Sequence, residues 1–413
     1  MIKNLDENEQ KLVNDIEIPL TEVLAKMEFT GVAINSDYLK ELSSYMTEKL
    51  AELEDLIYQL AGEPFNINSP KQVAEVLFDK LELKSKKKKS RSTSAEVLEE
   101  LAEEYEICEY ILEHRKFSKL KSTYTDVLPT LINKRDGRIH TTYNQALTVT
   151  GRLSSSNPNL QNIPIRTEEG NKIRAAFCAQ KPDSLILSAD YSQIELRLLA
   201  HVSGDKNLIN AFTSGVDVHT MTASKVFGVE TNEVTKDMRR KAKAVNFGIV
   251  YGQSKYGLAK NLGISNSEAQ EFIDKYFEHY PGVKKYMEEK KEFANIHGYV
   301  ETIFGRKRYL ASELMSPNFQ IREFAQRAAI NQPLQGTAAD LIKMAMIEVQ
   351  KQLDEKQLSS KMIMQVHDEL VFEVPQEELE TVKELVVKAM ELNQPLQVPL
   401  EVDVNCGNSW REG

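Results

Sequence analysis

The chain has 413 residues, 41% hydrophobic and 28% charged, the make-up of a folded globular protein rather than a disordered or fibrous one. No apolar run approaches the roughly 20 residues of a membrane span, and a formal net charge of −10 excludes a simple polycation coating nucleic acid. The N-terminal MIKNLDENEQKL has no apolar stretch behind its lysine, so no signal peptide is read and a cytoplasmic protein is expected. Cys108, Cys178 and Cys406 lie far apart without metal-ligand spacing, as reduced thiols would.

In chain order, residues 19 to 62 read as helices, with apolar positions near a 3.6 period in PLTEVLAKMEF and in the long repeat LKELSSYMTEKLAELEDLIYQL. Ser69 before Pro70 is a cap signal. The Lys/Ser-rich segment 84 to 94 reads as a tip between helices; it carries Lys84, Lys86, Lys87, Lys88, Lys89 and Arg91. Helical patterning resumes to about Leu131. RIHTTYNQALTVTGRLSSSNPNLQNIPI then combines β-branched alternation with a Ser/Asn/Pro-rich loop. SLILSAD (184 to 190) reads as a strand, and helices dominate from about 191 to 350. SKMIMQVHDELVFEV reads as two strands joined by a tight turn at His367, Asp368 and Glu369, followed by a helix and the strand-like PLEVDVNCG. No internal repeat points to a solenoid.

Three features bear chemistry. Asp190 ends an apolar run, where a buried charge needs a cation, unless it merely caps the following helix. Asp368 stands in the same relation to MIMQV. Two strand-end carboxylates, if neighbours in one antiparallel sheet, would suit hard divalent cations that keep waters and take substrate phosphates as further ligands. Arg239, Lys243, Phe247 and Tyr251 recur every four residues and share one helix face, cationic at one end and aromatic at the other. Such a face suits a nucleoside triphosphate; an amphipathic helix with a basic exposed end is the other reading. Basic groups also cluster in HRKFSKLKS (114 to 122), KDMRRKAK (236 to 243) and GRKR (305 to 308), which together favour a phosphate-rich partner.

DYSQIELR, RRKAKAVNFGIVYG and QVHDE, in that order, resemble the polymerase signatures of the family A DNA polymerases, the family of bacterial DNA polymerase I. TGRLSSSNPNLQNIP (150 to 164), VDVHT (216 to 220), NQPLQGTAAD (331 to 340), FNINSPKQV (65 to 73) and KFSKLKSTY (116 to 124) extend the match from about residue 15 to 404. The resemblance implies an α+β right-hand fold with a helical thumb, an antiparallel-sheet palm and helical fingers. Mapped here, 1–27 is a lead-in, 28–130 the thumb, 131–200 and 345–413 the palm, and 201–344 the fingers. It implies a monomer that binds primer–template DNA and deoxynucleoside triphosphates, without a membrane.

By the same resemblance, Asp190, Asp368 and the Tyr191 carbonyl hold two Mg²⁺ ions, for which Mn²⁺ substitutes. One ion would lower the pKa of the primer 3′-hydroxyl and the other would balance charge on pyrophosphate. Glu369 is an accessory carboxylate. Arg239 and Lys243 grip the triphosphate, Lys243 also as a proton donor, and Gln193 and His219 are further contacts. Glu195, helped by Tyr251, would exclude a 2′-hydroxyl, and Phe247 would discriminate against dideoxynucleotides. Arg152, Asn159, Asn162, Arg327, Asn331, Gln335 and His367 would touch the duplex near its growing end. Arg115, Lys119, Lys121, Ser122 and Thr123 would hold its phosphates.

No exonuclease motif of the DxE type precedes the core, so neither proofreading nor 5′ nuclease activity is expected. A single-subunit RNA polymerase and an inactive DNA-binding remnant are the rival readings. Glu195 and QVHDE oppose the first, and the full set Asp190, Asp368, Arg239 and Lys243 opposes the second. VDVNCGNSWREG departs in detail from the family's usual ending.

Overall fold

The computed structural model describes residues 5–84, 91–165, 167–391 and 396–412. Lys86, Lys87, Lys88 and Lys89 of the basic tip lie outside the described residues. Among the described residues, eight strands are distributed among helices: β1 (Thr142–Asn144), β2 (Ser154–Ser156), β3 (Ser184–Tyr191), β4 (Tyr299–Glu301), β5 (Lys307–Tyr309), β6 (Lys361–Val366), β7 (Glu369–Pro375) and β8 (Val402–Gly407). β1 pairs with β2 and β4 with β5, while the other four form one antiparallel sheet in the order β6-β7-β3-β8.

Sequence pattern explains that order. Ile186, Leu187 and Ala189 of β3 and Leu370, Val371 and Phe372 of β7 are buried on both faces, as continuous apolar runs in central strands require. β8 alternates exposed Asp403 and Asn405 with half-buried Val402 and Val404, which fits an edge. A two-residue loop, His367 and Asp368, joins β6 to β7, and His367 adopts φ 55° to close it. Glu369, expected in the turn, is instead the first residue of β7.

Helix Ser36–Ala61, capped by Asn35, buries Leu39, Leu42, Met46, Leu53 and Ile57. Its far end joins a small separate core with Val73, Leu77, Leu98, Leu101 and Ile111, so the N-terminal helical lobe carries its own tip core. Within the stretch expected as a lead-in, Leu20, Val23, Leu24 and Met27 are buried in the main core, which they share with helix Phe319–Glu355. That core continues into the helices Val218–Phe227, Lys236–Val250 and Asn266–His279; Tyr276 of the last and its C-cap Tyr280 are fully buried. No described helix is long and apolar enough to cross a membrane.

Candidate active site

The site begins where β3 ends. In register, Asp190 faces Glu369 on β7 and Asp403 on β8, a row of three carboxylates across adjacent strands. The Tyr191 N–H donates to the Asp368 carbonyl at 3.2 Å, which ties the β6–β7 turn to the end of β3. Asp190 is no helix cap: it lies within β3, and the next helix starts after Gln193, which holds φ 56°. Nor is its charge buried as expected, because the side chain is exposed to solvent. Open on one side, the carboxylate is still ringed by protein. Lost hydration, then the charges of Glu369, Asp368 and Asp403, push it up to about 7, with Arg174 opposing them.

Each neighbour has a distinct tether. Glu369 is buried; the Trp410 indole N–H donates to it at 2.8 Å and the Arg174 guanidinium at 3.4 Å, and Arg174 lies 3.8 Å over the Trp410 ring. Burial raises the Glu369 carboxyl, with Arg174 pulling the other way. Arg152 donates to Glu195 at 3.1 Å and lies 3.5 Å from Asp368, so it bridges the strand-end carboxylate and the buried glutamate. Glu195 is 6% exposed, and burial raises its carboxyl while Arg152 lowers it. Tyr251 and Gln335 flank Glu195, and burial pushes the Tyr251 phenol up, with the Glu195 charge adding to the shift.

Opposite stands the helix Lys236–Val250, whose cap Thr235 accepts from the Met238 N–H. Lys243, Phe247 and Tyr251 line a cleft of about 780 Å³ with Arg240, Gln253 and Arg327. The Phe247 and Tyr251 rings stack with centroids 6.5 Å apart, and the Lys243 ammonium sits 6.0 Å from the Phe247 centroid. Arg239 is turned aside in a two-pronged pair with Asp217, at 2.9 and 3.0 Å. Asp217 also caps helix Val218–Phe227 through the Thr220 N–H. Because Arg239 is half exposed, that pair contributes about 1 kcal/mol or less, a hold that an anionic ligand can exchange for its own. His219 is 2% exposed, and burial holds it down at about 4, a neutral imidazole.

The expected duplex contacts divide. Lys119 and Thr123 share a cleft of about 450 Å³ with Asn159 and Asn162, and Ser122 is exposed beside them. His367 is exposed at the turn, while Asn331 donates to the Val250 carbonyl at 3.4 Å. Arg115 is instead turned to the Thr93 carbonyl, and Lys121 pairs with Asp126 at 2.8 Å. Neither presents a free cation. A further cleft of about 740 Å³ beside Leu147, Arg306 and Tyr309 lies outside this constellation, with its Arg306 committed to Glu17 and Asp340.

The donor set fits magnesium. Among the described residues no three His, Cys, Asp or Glu side chains converge on one point. Asp190 and Asp368 at neighbouring strand ends, with mutually repelling carboxylates and room for water and phosphate oxygens, are what a hard ion of high hydration uses. Asp217, Arg174, Trp410, Asp403 and Asn246 were not singled out from sequence. VDVHT contained Asp217, and the alternation of VDVN marked Asp403, but no local signal ties Arg174 or Trp410 to a site more than 15 residues away along the chain.

A helical lobe, an antiparallel sheet with paired strand-end carboxylates and a cation-aromatic helix opposite them make up the right-hand fold of a nucleic-acid polymerase. Residues 36–412 match the model of DNA polymerase family A, and the chain belongs to that family. It is 53% identical over 413 residues to DNA polymerase I of Bacillus subtilis, covering 99% of this chain and 47% of that protein. To the thermostable DNA polymerase I of Thermus thermophilus it is 49% identical over 417 residues, 99% of this chain and 49% of that one. The chain thus spans about half the length of these curated relatives. The POL domain of Pol1 from M. smegmatis, solved in complex with DNA primer-template and dNTP, superposes with a TM-score of 0.92 at 44% identity, covering 98% of this chain and 71% of that one.

Proposed function

We propose that this chain is a template-directed DNA polymerase that adds deoxynucleoside triphosphates to a primer 3′-hydroxyl and releases pyrophosphate. The observation that carries the reading is the Arg152 bridge: one guanidinium links Asp368, beside Asp190, to Glu195, beside Tyr251. It couples the carboxylates that would manage charge to the side chains that would meet the sugar. The family membership and the M. smegmatis complex support the same partners.

Asp190, Asp368 and the Tyr191 carbonyl would hold the ions. Two bound Mg²⁺ ions, with Mn²⁺ as substitute, would supply activation of the primer hydroxyl and neutralisation of the triphosphate. Lys243 and Arg239 grip the phosphates, Arg239 by exchanging Asp217 for them, and Lys243 hands a proton to the departing pyrophosphate. Phe247 and Tyr251 offer their stacked rings to the base and sugar. Glu195, held by Arg152, fills the space that a ribose 2′-hydroxyl needs. Gln193 joins from the start of its helix, and Glu369 supports the row through Trp410 rather than as a ligand. Arg327, Gln335, Asn331 and His367, with Asn159 and Asn162, monitor the nascent pair, and Lys119, Ser122 and Thr123 carry duplex phosphates.

In these terms 28–130 acts as thumb, 131–200 with 345–413 as palm, and 201–344 as fingers. The test is extension of a labelled primer by each deoxynucleotide alone against each of four template bases, in Mg²⁺. Extension only by the complementary nucleotide is expected; extension that ignores the template would remove the reading.

A further inference from the structure

Four buried side chains behind the cation-aromatic face form one hydrogen-bonded row that the mechanism above leaves unused. The Tyr280 hydroxyl lies 3.2 Å from the Thr222 hydroxyl, which lies 3.2 Å from the Asn246 amide oxygen; the Asn246 amide nitrogen lies 2.9 Å from Nδ1 of His219. Tyr280, Thr222 and Asn246 have no exposed surface, and His219 only 2%. The row joins two helices to the junction between Asn266–His279 and Pro281–His297, where Tyr280 sits, and ends on the imidazole. Its other nitrogen, Nε2, makes no hydrogen bond among the described residues.

The direction of donation matters. The Tyr280 hydroxyl has the Thr222 hydroxyl as its only partner among the described residues, and because Thr222 directs its own proton elsewhere, the phenol donates inward. The single Thr222 hydroxyl proton is shared between two acceptors, the Val218 carbonyl at 2.9 Å and the Asn246 amide oxygen at 3.2 Å. With that oxygen on Thr222, the amide N–H of Asn246 donates to His219. Nδ1 must then be the bare nitrogen of a neutral ring, and the proton sits on Nε2. Arg239 and Lys243 lie near the ring from one helix and Asp217 from the cap of its own, and the Phe247 ring packs 5.7 Å away. The two cations disfavour imidazolium. The flipped amide would leave a bare lone pair at Nε2, which repels a phosphate oxygen.

We propose that Asn246 is a positioning residue: its amide fixes His219 in the Nε2–H tautomer, so that a neutral imidazole donates one hydrogen bond to the triphosphate of the incoming nucleotide. The proposal rests on the reading of His219 as a nucleotide contact. It assigns to a fully buried asparagine, which touches no substrate, control over one donor of the nucleotide site.

Two measurements test it. Two-bond ¹H–¹⁵N spectra of the full chain labelled on histidine, with His219 assigned by its loss in His219→Gln, read the tautomer at neutral pH without turnover. Nε2 protonated and Nδ1 bare is expected, and the reverse overturns the proposal. The second compares Asn246→Asp with the parent in primer extension. A carboxylate only accepts, so it draws the proton to Nδ1 and strips Nε2. KM for the deoxynucleotide should rise roughly tenfold at alkaline pH, the worth of one hydrogen bond, with kcat changed less, and should recover on acidification as Nε2 regains its proton. Read as a variant-to-parent ratio, the profile cancels titration elsewhere in the site. A ratio independent of pH overturns the proposal even if Asn246→Asp is less stable. An unchanged KM in His219→Ala, with the expected tautomer seen in the parent, overturns the contact itself, whereas a parent that extends no primer removes the polymerase reading beneath it.

Discussion

Asp190 shows how a functional residue works against the fold that holds it. Its carboxyl titrates at about 7 in the folded chain against 3.8 ordinarily, so the protonated form favours folding: that contribution is full below 3.8 and is lost as pH rises through about 7. In EDTA above that pH, Asp190→Asn should raise Tm by roughly 1–3 °C, a gain kept small by solvent screening, while abolishing extension. A lower Tm for the variant would contradict the electrostatic account. His219 titrates in the opposite sense. Its folded value near 4 lies below the ordinary 6.5, so its contribution is full above 6.5 and lost as pH falls towards 4. His219→Gln should flatten the acid limb of urea stability against pH. Sugar discrimination belongs at this scale as well. On the proposed function, Phe247→Tyr places a hydroxyl in the cleft beside Lys243, and one new hydrogen bond there is worth about 1.5 kcal/mol, so the preference for deoxy over dideoxy substrate should narrow tenfold or more. An unchanged ratio in competitive extension would exclude Phe247 from that role. Asp190, Lys243 and Phe247 could be named as candidates because they sit in short ordered motifs; Arg174 and Trp410 could not, because their pairing with Glu369 exists only once distant segments meet.

At the scale of elements, the junction between β3 and its following helix carries the site's precision. Gln193 holds a left-handed backbone at φ 56°, and Arg197 braces the turn by donating to the Ser192 carbonyl at 2.8 Å and the Pro399 carbonyl at 2.7 Å. A non-glycine residue there costs about 1 kcal/mol, so Gln193→Gly should stabilise the chain by about that amount yet lower kcat, as the turn beside Asp190 loosens. Thermal denaturation and single-turnover extension would check the two halves separately. The β6–β7 hairpin was legible as two apolar runs around a turn, and the pairing of β7 with β3, and of β3 with β8, into one sheet was not, since sequence spacing does not say which strand ends meet. The tip of the N-terminal lobe was legible as helices but not as a separate core. Leu98→Ala in that core should cost about 2–5 kcal/mol locally, speeding hydrogen exchange in 57–111 while the sheet stays protected.

Across the whole molecule, the proposed polyanionic partner is compatible with a net charge of −10 because charge is placed unevenly. Many lysines and arginines are already spent on internal pairs, such as Arg138 with Glu373 and Lys343 with Glu17, and the Lys119–Asn162 cleft and the Lys243 face remain for phosphates. Duplex affinity should therefore fall linearly in logarithm with salt, with a slope set by these few contacts rather than by total basic content. The resemblance of ordered motifs made the architecture legible over nearly the full length, and the region least well read was the first 27 residues, whose buried Leu20, Val23 and Leu24 look like any amphipathic helix until helix Phe319–Glu355 is packed on them. The most direct test of the central claim is extension of a labelled primer on a DNA template in Mg²⁺, the parent beside Asp190→Ala, with deoxy- and ribonucleotides in parallel. The account predicts extension by the parent with deoxynucleotides, little with ribonucleotides, and a loss of at least about 10³-fold in the variant, the scale of phosphoryl transfer without its charge management. Equal extension by parent and variant, or duplex binding by the parent with no extension in either Mg²⁺ or Mn²⁺, would contradict it.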